Sequence, residues 1–343
     1  MDNFLSIIIP VHNREIELEQ LLTSIFQYKI NTPFEVIVVL DNCSDKTKLV
    51  CEKFNITAFE NEMKKGAGYS RHFGAIKSKG NILLFLDSDT LVSENLINEM
   101  IDEYLKENGK SAICGDFFIN PINFNFFTKF LALKWYYSIT ELYLKKNDRM
   151  IICAFGGGPS MISKELFFKA GGYDFKKHHY KSCGGEEFEA ALNIMEFSPI
   201  YFYRKFNVAH NYRTVFNSFF LTIRRSFNYA MIFFTASSKQ KLLMSNLVDG
   251  NDKKKLIVLF FIFIFLILYF ITFDFLYFQF LQVSIIIYLI YELHFIKFIK
   301  KECGFFYIIP AILQNLVLMT SKGIGVFIAI ANILILRKTD YRF

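Results

Sequence analysis

Two aspartates one residue apart, Asp87-Ser88-Asp89, follow directly on an apolar run at residues 81–86. Carboxylates so placed at a strand end can turn oxygens toward one hard divalent cation. Mg²⁺ or Mn²⁺ keeps one or two protein carboxylates and fills its shell with phosphate oxygens and water. A cation held that way offsets the charge of a diphosphate and helps it leave. Alone, the pattern is also that of a solvated turn, because Asp and Ser bond turn backbone with their own side chains. It is accompanied by other polar clusters. Pro10-Val11-His12-Asn13 and Asp41-Asn42-Cys43-Ser44-Asp45 each close an apolar run, and Gly66-Ala67-Gly68-Tyr69-Ser70-Arg71-His72-Phe73-Gly74 precedes the aspartate pair. After it come Gly156-Gly157-Gly158-Pro159-Ser160, the acidic stretch Gly184-Gly185-Glu186-Glu187-Phe188-Glu189, and a late histidine, His210.

The elements that must position these groups read as alternating strands and helices. Residues 4–11, 34–40 and 81–86 are short continuous apolar runs, the pattern of buried parallel strands. Residues 15–26 carry Ile16, Leu18, Leu21, Leu22 and Ile25 at helical spacing; 45–54 and 68–77 also read as helices, and 56–59 and 112–118 as further strands. Such alternation implies a parallel sheet with right-handed crossovers and ligands gathered beyond the strand ends. The polar clusters fall at those ends. Gly156-Gly157-Gly158 and Gly171-Gly172 are turn signals around a helix at 164–170. Residues 121–146, with Phe124, Phe126, Phe127, Trp135, Tyr136 and Tyr137, fit either an amphipathic helix on a membrane surface or a core helix. Residues 216–234 are aromatic with Arg224 and Arg225 inside, as in an interfacial helix leading into a membrane.

In order and spacing, four of these elements resemble the family-2 glycosyltransferases of the GT-A fold. Their pattern runs strand–P-x-Y-N, strand–D-D-x-S-x-D, a G-x-x-x-A-R-N-x-G helix, then strand–D-x-D. The resemblance covers about residues 6–210, with His12 where Tyr is common, Asn42 where a second Asp is common and His72 where Asn is common. It implies an inverting transfer from a nucleotide-diphosphate sugar, a UDP-sugar foremost, assisted by Mg²⁺ or Mn²⁺. By the same resemblance Pro10, Asn13, Asp41, Arg71 and Asp87 belong to the donor site, Asp41 binding the base and Arg71 approaching the sugar or diphosphate. Asp87, Asp89 and His210 would hold the metal, His210 being otherwise a structural histidine. The stretch at 184–189 resembles the family's G-E-D-x-[DE] segment, which makes Glu187 the general base on an acceptor hydroxyl, with Glu186 beside it. Without that context it would read as an acidic helix start. Gly157 and Gly158 sit where the family shapes its acceptor pocket.

Other chemistries are excluded on spacing. A dinucleotide loop needs a third glycine where Arg71 stands and should open directly after the first strand. His178, His179 and Cys183 lack further ligands at zinc spacing, and the six cysteines form no C-x-x-C pair, which fits a reducing compartment. No basic face suits nucleic acid. Trp135 is the one tryptophan and no Arg-Trp pair exists, so the Q-x-x-R-W segment of processive polysaccharide synthases is missing and single-sugar transfer is favoured. A polyprenyl-phosphate sugar synthase and an inactive membrane scaffold in glycan assembly are the alternatives.

Hydrophobic residues make up 53% of the 343 residues, and phenylalanine, 42 in all, is densest after Lys255. Residues 256–273, 275–291, 305–320 and 323–336 are apolar and uncharged; the first two are long enough for the roughly 20 residues a spanning helix needs, and the last two are marginal. Lys253, Lys254 and Lys255 precede the first, Lys297, Lys300 and Lys301 follow the second, and Arg337, Lys338 and Arg342 follow the fourth. Ten Lys/Arg against five Asp/Glu after residue 250 supply five of the chain's net +7. That placement fits four spans with both termini cytoplasmic. The start has neither a basic n-region nor a long apolar h-region, so no signal peptide is read and the first domain is expected in the cytoplasm. The expected plan is an α/β catalytic domain at residues 1–212, an amphipathic connector at 213–255, and transmembrane helices at 256–336, two to four in number.

Overall fold

Apolar runs near the start of the chain become neighbouring parallel strands. In the computed structural model, which describes residues 3–61, 66–138, 148–173, 185–212, 215–235 and 250–334, β1 (Leu5–Val11) pairs with β2 (Phe34–Asp41), β2 with β3 (Thr57–Asn61), and β1 on its other side with β4 (Ile82–Phe85), all in parallel. Helices α1 (Glu15–Phe26), α2 (Thr47–Lys53) and α3 (Ala67–Lys77) make the crossovers. Every residue of β1 is buried because both sheet faces are covered. Alternate side chains divide between two cores. Ile7 and Ile9 pack with Leu18, Leu22 and Ile25 of α1, while Ile8 joins Leu83, Phe85, Phe155 and Phe167 on the other face. At Gly74 a Cβ would fall 2.5 Å from Ile8 Cγ2, so glycine sets how closely α3 lies on the sheet.

The second half of the sheet is mixed. It adds β5 (Thr90–Leu91), helix α4 (Leu96–Lys106), β6 (Ala112–Phe117), helix α5 (Phe126–Tyr136), β7 (Arg149–Ile151), β8 (Ser160–Ser163), helices α6 (Lys164–Lys169) and α7 (Glu186–Met195), and β9 (Ile200–His210). Strand order is β3-β2-β1-β4-β8-β6-β9-β5, with β7 on β9. β8 runs antiparallel to both β4 and β6, and β6 parallel to β9. The expected sheet is thus parallel through β4 and mixed beyond it.

Helix α8 (Val215–Thr235) leaves the sheet, and three long helices follow: α9 (Gly250–Thr272), α10 (Phe275–Cys303) and α11 (Ile308–Leu334). The stretches Lys254–Thr272, Phe275–Cys303 and Phe305–Leu334 are long and apolar enough to cross a membrane. Their outer faces expose Phe260, Phe270, Ile286, Ile290 and Phe327, far more contiguous apolar surface than a soluble monomer leaves open. The two marginal segments of the sequence reading are one helix, α11. The helix continues through Ser321-Lys322-Gly323, where glycine weakens but does not end it, and Pro310 falls in the first turn, where its missing N–H costs nothing. Among the described residues the candidate spans therefore number three, within the two to four expected. The residues around Arg337, Lys338 and Arg342 lie outside the described ones.

Lys255 departs from the flanking role its position suggested. Its Nζ is buried 3.0 Å from Glu292 Oε1, to which Asn315 Nδ2 also donates at 2.5 Å. One polar contact thus ties α9, α10 and α11. Two helices join them to the sheet. Phe130, Leu133 and Tyr137 at α5 pack on Phe295, Phe298 and Ile299 of α10 and Ala311 of α11. Phe227, Ala230 and Met231 of α8 pack on Ala329 of α11. Each was read as a surface helix, α5 with a core alternative; each is a seam between the two halves.

Candidate active site

Strand ends β1 and β2 stop side by side, and their loops are clasped. Ser44 N donates to Asn13 Oδ1 at 2.8 Å and Asn13 Nδ2 donates to Ser44 Oγ at 3.1 Å. Asn13 and Asn42 both hold positive φ, 50° and 55°, which asparagine tolerates better than most residues. Pro10 lies inside β1, opposite Val39 of β2. His12, where the family prefers Tyr, donates from Nδ1 to the Asp41 carbonyl at 2.7 Å and so fixes the end of β2. Asp41 is buried; its two oxygens accept from Asn61 Nδ2 and Gly66 N, each at 2.9 Å.

From Gly66 the chain enters α3, which carries Arg71 inward. Arg71 is buried and donates from Nη2 to Asp87 Oδ1 at 2.5 Å, with its guanidinium 5.8 Å from the Tyr173 ring centroid. Burial alone would lower its pKa, but Asp87, Tyr173 and Glu186 outweigh that and hold it above the ordinary arginine value. Burial also pushes the Tyr173 phenol upward, against the pull of Arg71. Arg71 orients Asp87, whose side chain is 24% exposed against 5% for Arg71, and among the described residues its Nε has no hydrogen-bond partner.

Asp89 faces the other way. Its Oδ2 is 3.3 Å from Arg14 Nη2, and its Oδ1 is 3.6 Å from His210 Nε2. β5 and β9 create this meeting, since Thr90 pairs with His210 across the antiparallel ladder. The His210 ring lies between Phe117 and Tyr212, both at 4.5 Å, and burial foremost lowers its pKa. A neutral imidazole is the metal-ligating form. Asp89 and His210 suit a cation whose remaining positions go to phosphate and water. Asp87 Oδ1 accepts from Arg71, and among the described residues no group of three or more His, Cys, Asp or Glu is placed to hold a metal ion.

The acidic stretch closes the site from the second half of the sheet. Phe155 N donates to Glu187 O at 3.0 Å, which joins the glycine loop to the start of α7. Gly156 has φ 94°, and a Cβ there would lie 2.1 Å from Tyr173 Oη. Gly157 faces open space, whereas Gly158 packs on the Gly115 carbonyl, 2.9 Å from where a Cβ would sit. Of these three glycines, Gly157 alone is open to added atoms among the described residues. Glu186 is buried over α3; a Cβ on Gly68 would be 3.2 Å from Glu186 Cγ. Glu187 Oε2 accepts from Gly185 N at 3.1 Å, and Oε1 accepts from Tyr229 Oη of α8 at 3.0 Å. Gly184, His178, His179 and Cys183 lie outside the described residues.

Arg14, Asn61, Tyr173 and Tyr229 are the contacts that motif reading did not supply. Arg14 follows Asn13 directly and could have been suspected. Asn61 and Tyr173 reach the site only through the fold. Tyr229 sits in an aromatic helix with no local signal of a site.

Residues 6–171 match the family model Glycosyl transferase family 2. The match begins where the sequence reading placed it and ends before Glu186, Glu187 and His210. An uncharacterised glycosyltransferase of Haemophilus influenzae is 33% identical over 173 residues, covering 49% of this chain and 55% of that protein. The poly(ribitol-phosphate) beta-N-acetylglucosaminyltransferase TarP of Staphylococcus aureus is 29% identical over 118 residues, 33% of this chain and 36% of its own. The chain thus spans about half or less of these relatives. The mannosyltransferase PcManGT of Pyrobaculum calidifontis, solved in complex with GDP-Man and Mn²⁺, superposes with TM-score 0.57 at 12% identity, over 95% of this chain and 88% of that one. At that identity the likeness is one of fold, and at that coverage it runs past the sheet into the apolar helices.

Proposed function

We propose that this chain, which carries a glycosyltransferase family 2 domain of GT-A-like fold at residues 6–171, moves one sugar from a nucleotide-diphosphate sugar to a hydroxyl of a membrane-associated glycan or glycolipid. The observation that carries this is the closure of α7 on α3. Glu186 lies against Gly68, one turn from Arg71, so the acidic stretch and the Asp87 corner form one cluster. Two acids beside a nucleotide corner and beside helices able to span a membrane suit transfer to an acceptor held at the membrane surface.

In this reading Asp41 takes the base of the nucleotide, a uridine nucleotide first, and Asn13 and Pro10 shape the wall beside it. Arg71 fixes Asp87, whose exposed oxygen is left for the donor. Asp89 and His210 would hold Mg²⁺ or Mn²⁺, which supplies charge for the departing diphosphate. The acceptor oxygen attacks the anomeric carbon as its bond to the diphosphate breaks, and the hydroxyl proton passes to Glu187. Attack opposite the leaving group inverts the anomeric centre. The catalytic domain faces the cytoplasm, where nucleotide sugars are made, and α9–α11 anchor it. Full-length protein should stay in membranes through a carbonate wash; its release would remove the anchor from this reading.

Glu187→Gln keeps size but cannot take the proton, so transfer should fall by about 10²–10⁴-fold with donor binding retained. Glu186→Gln is the control and should lose less. Normal transfer by Glu187→Gln would point to an acceptor that needs no base, such as a polyprenyl phosphate. Neither transfer nor donor hydrolysis by the wild type, with donors screened against extracted membrane lipids, would leave a scaffold.

A further inference from the structure

We infer that Tyr229 positions the Glu187 carboxylate, and that helix α8, seated on the membrane helix α11, sets the orientation of the base. This rests on the reading of Glu187 as base. Each Glu187 oxygen accepts one hydrogen bond: Oε2 from Gly185 N at 3.1 Å, Oε1 from Tyr229 Oη at 3.0 Å. Two donors on two oxygens fix the carboxylate plane and leave a lone pair on each for an incoming proton. The phenol ring also packs edge-on against Phe188 at 4.4 Å, which favours this rotamer. Burial first, then the Glu187 charge, hold the phenol pKa well above the ordinary tyrosine value, so it stays a donor.

The helix behind Tyr229 is pressed from both sides. Toward the site, a Cβ on Gly185 (φ 108°) would lie 3.0 Å from Ile232 Cδ1 and 3.3 Å from Asn228 Cβ. Toward the membrane helix, a Cβ on Gly325 would lie 2.2 Å from the Ile223 carbonyl oxygen, 2.9 Å from Ser226 Cβ and 3.0 Å from Phe227 N. At about 100° per residue, Asn228 and Ile232 lie on one face of α8, Ile223, Ser226 and Ala230 lie nearly opposite, and Tyr229 stands at the edge between them. One helix therefore touches the base along one side and α11 along another. Backbone contact at a small residue is how helices approach most closely in a membrane.

The test is a double-mutant cycle on full-length protein in detergent or nanodiscs. Tyr229→Phe keeps ring and packing and removes one donor to a charged group, which should lower kcat for transfer roughly tenfold with donor KM unchanged. In a Glu187→Gln background the same change should cost almost nothing, because the group it serves is gone. A merely structural tyrosine gives the same loss in both backgrounds, and that result overturns the role of Tyr229 while leaving Glu187 as base. Normal transfer by Glu187→Gln overturns both. Gly325→Ala, which must displace α8, should lower kcat with the same dependence on Glu187; unchanged transfer in that variant overturns the part assigned to α11.

Discussion

In the catalytic half Arg71 is buried against Asp87, 2.5 Å away, where strand β4 ends; in the helical half Lys255 is buried against Glu292, 3.0 Å away, between three apolar helices. Both pairs withdraw charge from water. They differ in what remains open. Asp87 keeps 24% of its side chain exposed, whereas Glu292 keeps 1% and Lys255 2%. Asn315 covers what Lys255 leaves of Glu292 Oε1. Replacing a buried pair by apolar groups of similar volume is often neutral, while breaking it strands a charge. The open pair thus has chemistry to offer, and the closed one holds helices in register.

The largest effect should come where the open half meets the cation. Asp89→Asn should lower transfer about 10³-fold, since a bound metal contributes several kcal/mol of charge stabilisation. EDTA should do the same to the wild type, with Mn²⁺ restoring the wild type and not the variant. Full turnover in EDTA would remove the metal from the mechanism and with it much of the contrast drawn above.

Next is the open pair itself. Arg71→Met with Asp87→Leu should leave a folded protein, yet cut transfer by roughly 10²-fold, the scale of one lost preorganised charge contact. Circular dichroism and melting would show whether the fold stands. Wild-type turnover in that variant would make the Arg71–Asp87 pair as structural as its counterpart.

How much of this contrast could be read before the fold was known depends on how each residue is tied to its neighbours in sequence. Asp41, Asp87 and Asp89 directly follow apolar runs, so strand periodicity and turn chemistry announce them, and Arg71 stands in the glycine-bounded stretch at 66–74. β8 and β9 are less legible. β8 has four residues, and β9 mixes Tyr201, Arg204 and Lys205 into its pattern because only part of it is covered. Yet β9 brings His210 to Asp89. Tyr229 was illegible for another reason: its partner is 42 residues away, and an aromatic helix looks alike whether it meets lipid or a carboxylate. Lys255 was misread because charge next to an apolar run usually marks the headgroup level. Its acid, Glu292, is 37 residues on, beyond any local window. The division into two marginal segments at Lys322 was also a local inference; the chain runs through it as one helix, whose Gly325 packs on α8.

In the helical half, Glu292→Ala alone should destabilise the protein by about 3–5 kcal/mol, because Lys255 then stays buried without its partner. The measurement is thermal unfolding in detergent, with donor hydrolysis lost only as the protein melts. If Glu292→Ala melts like the wild type, the pair does not hold α9 and α10 together.

The smallest effect should come from removing that polar contact whole. Lys255→Met, Glu292→Leu and Asn315→Leu together replace the ammonium, the carboxylate and the amide by apolar groups of similar volume, so no polar atom of the three is left unpartnered. Buried ionic groups exchanged this way are commonly neutral or stabilised by about 1–4 kcal/mol. The triple variant should melt at or above the wild-type temperature, resist carbonate extraction equally, and transfer sugar within about twofold of wild type, a change too small to register as a lost contact. Two departures would be informative. A melting loss as large as that of Glu292→Ala would mean that the pair gains more from its own attraction than it loses in leaving water, against the general tendency. Intact melting with lost transfer would mean that a charge between the membrane helices serves the reaction, and the division between an open, chemical pair and a closed, structural one would fail at its closed end.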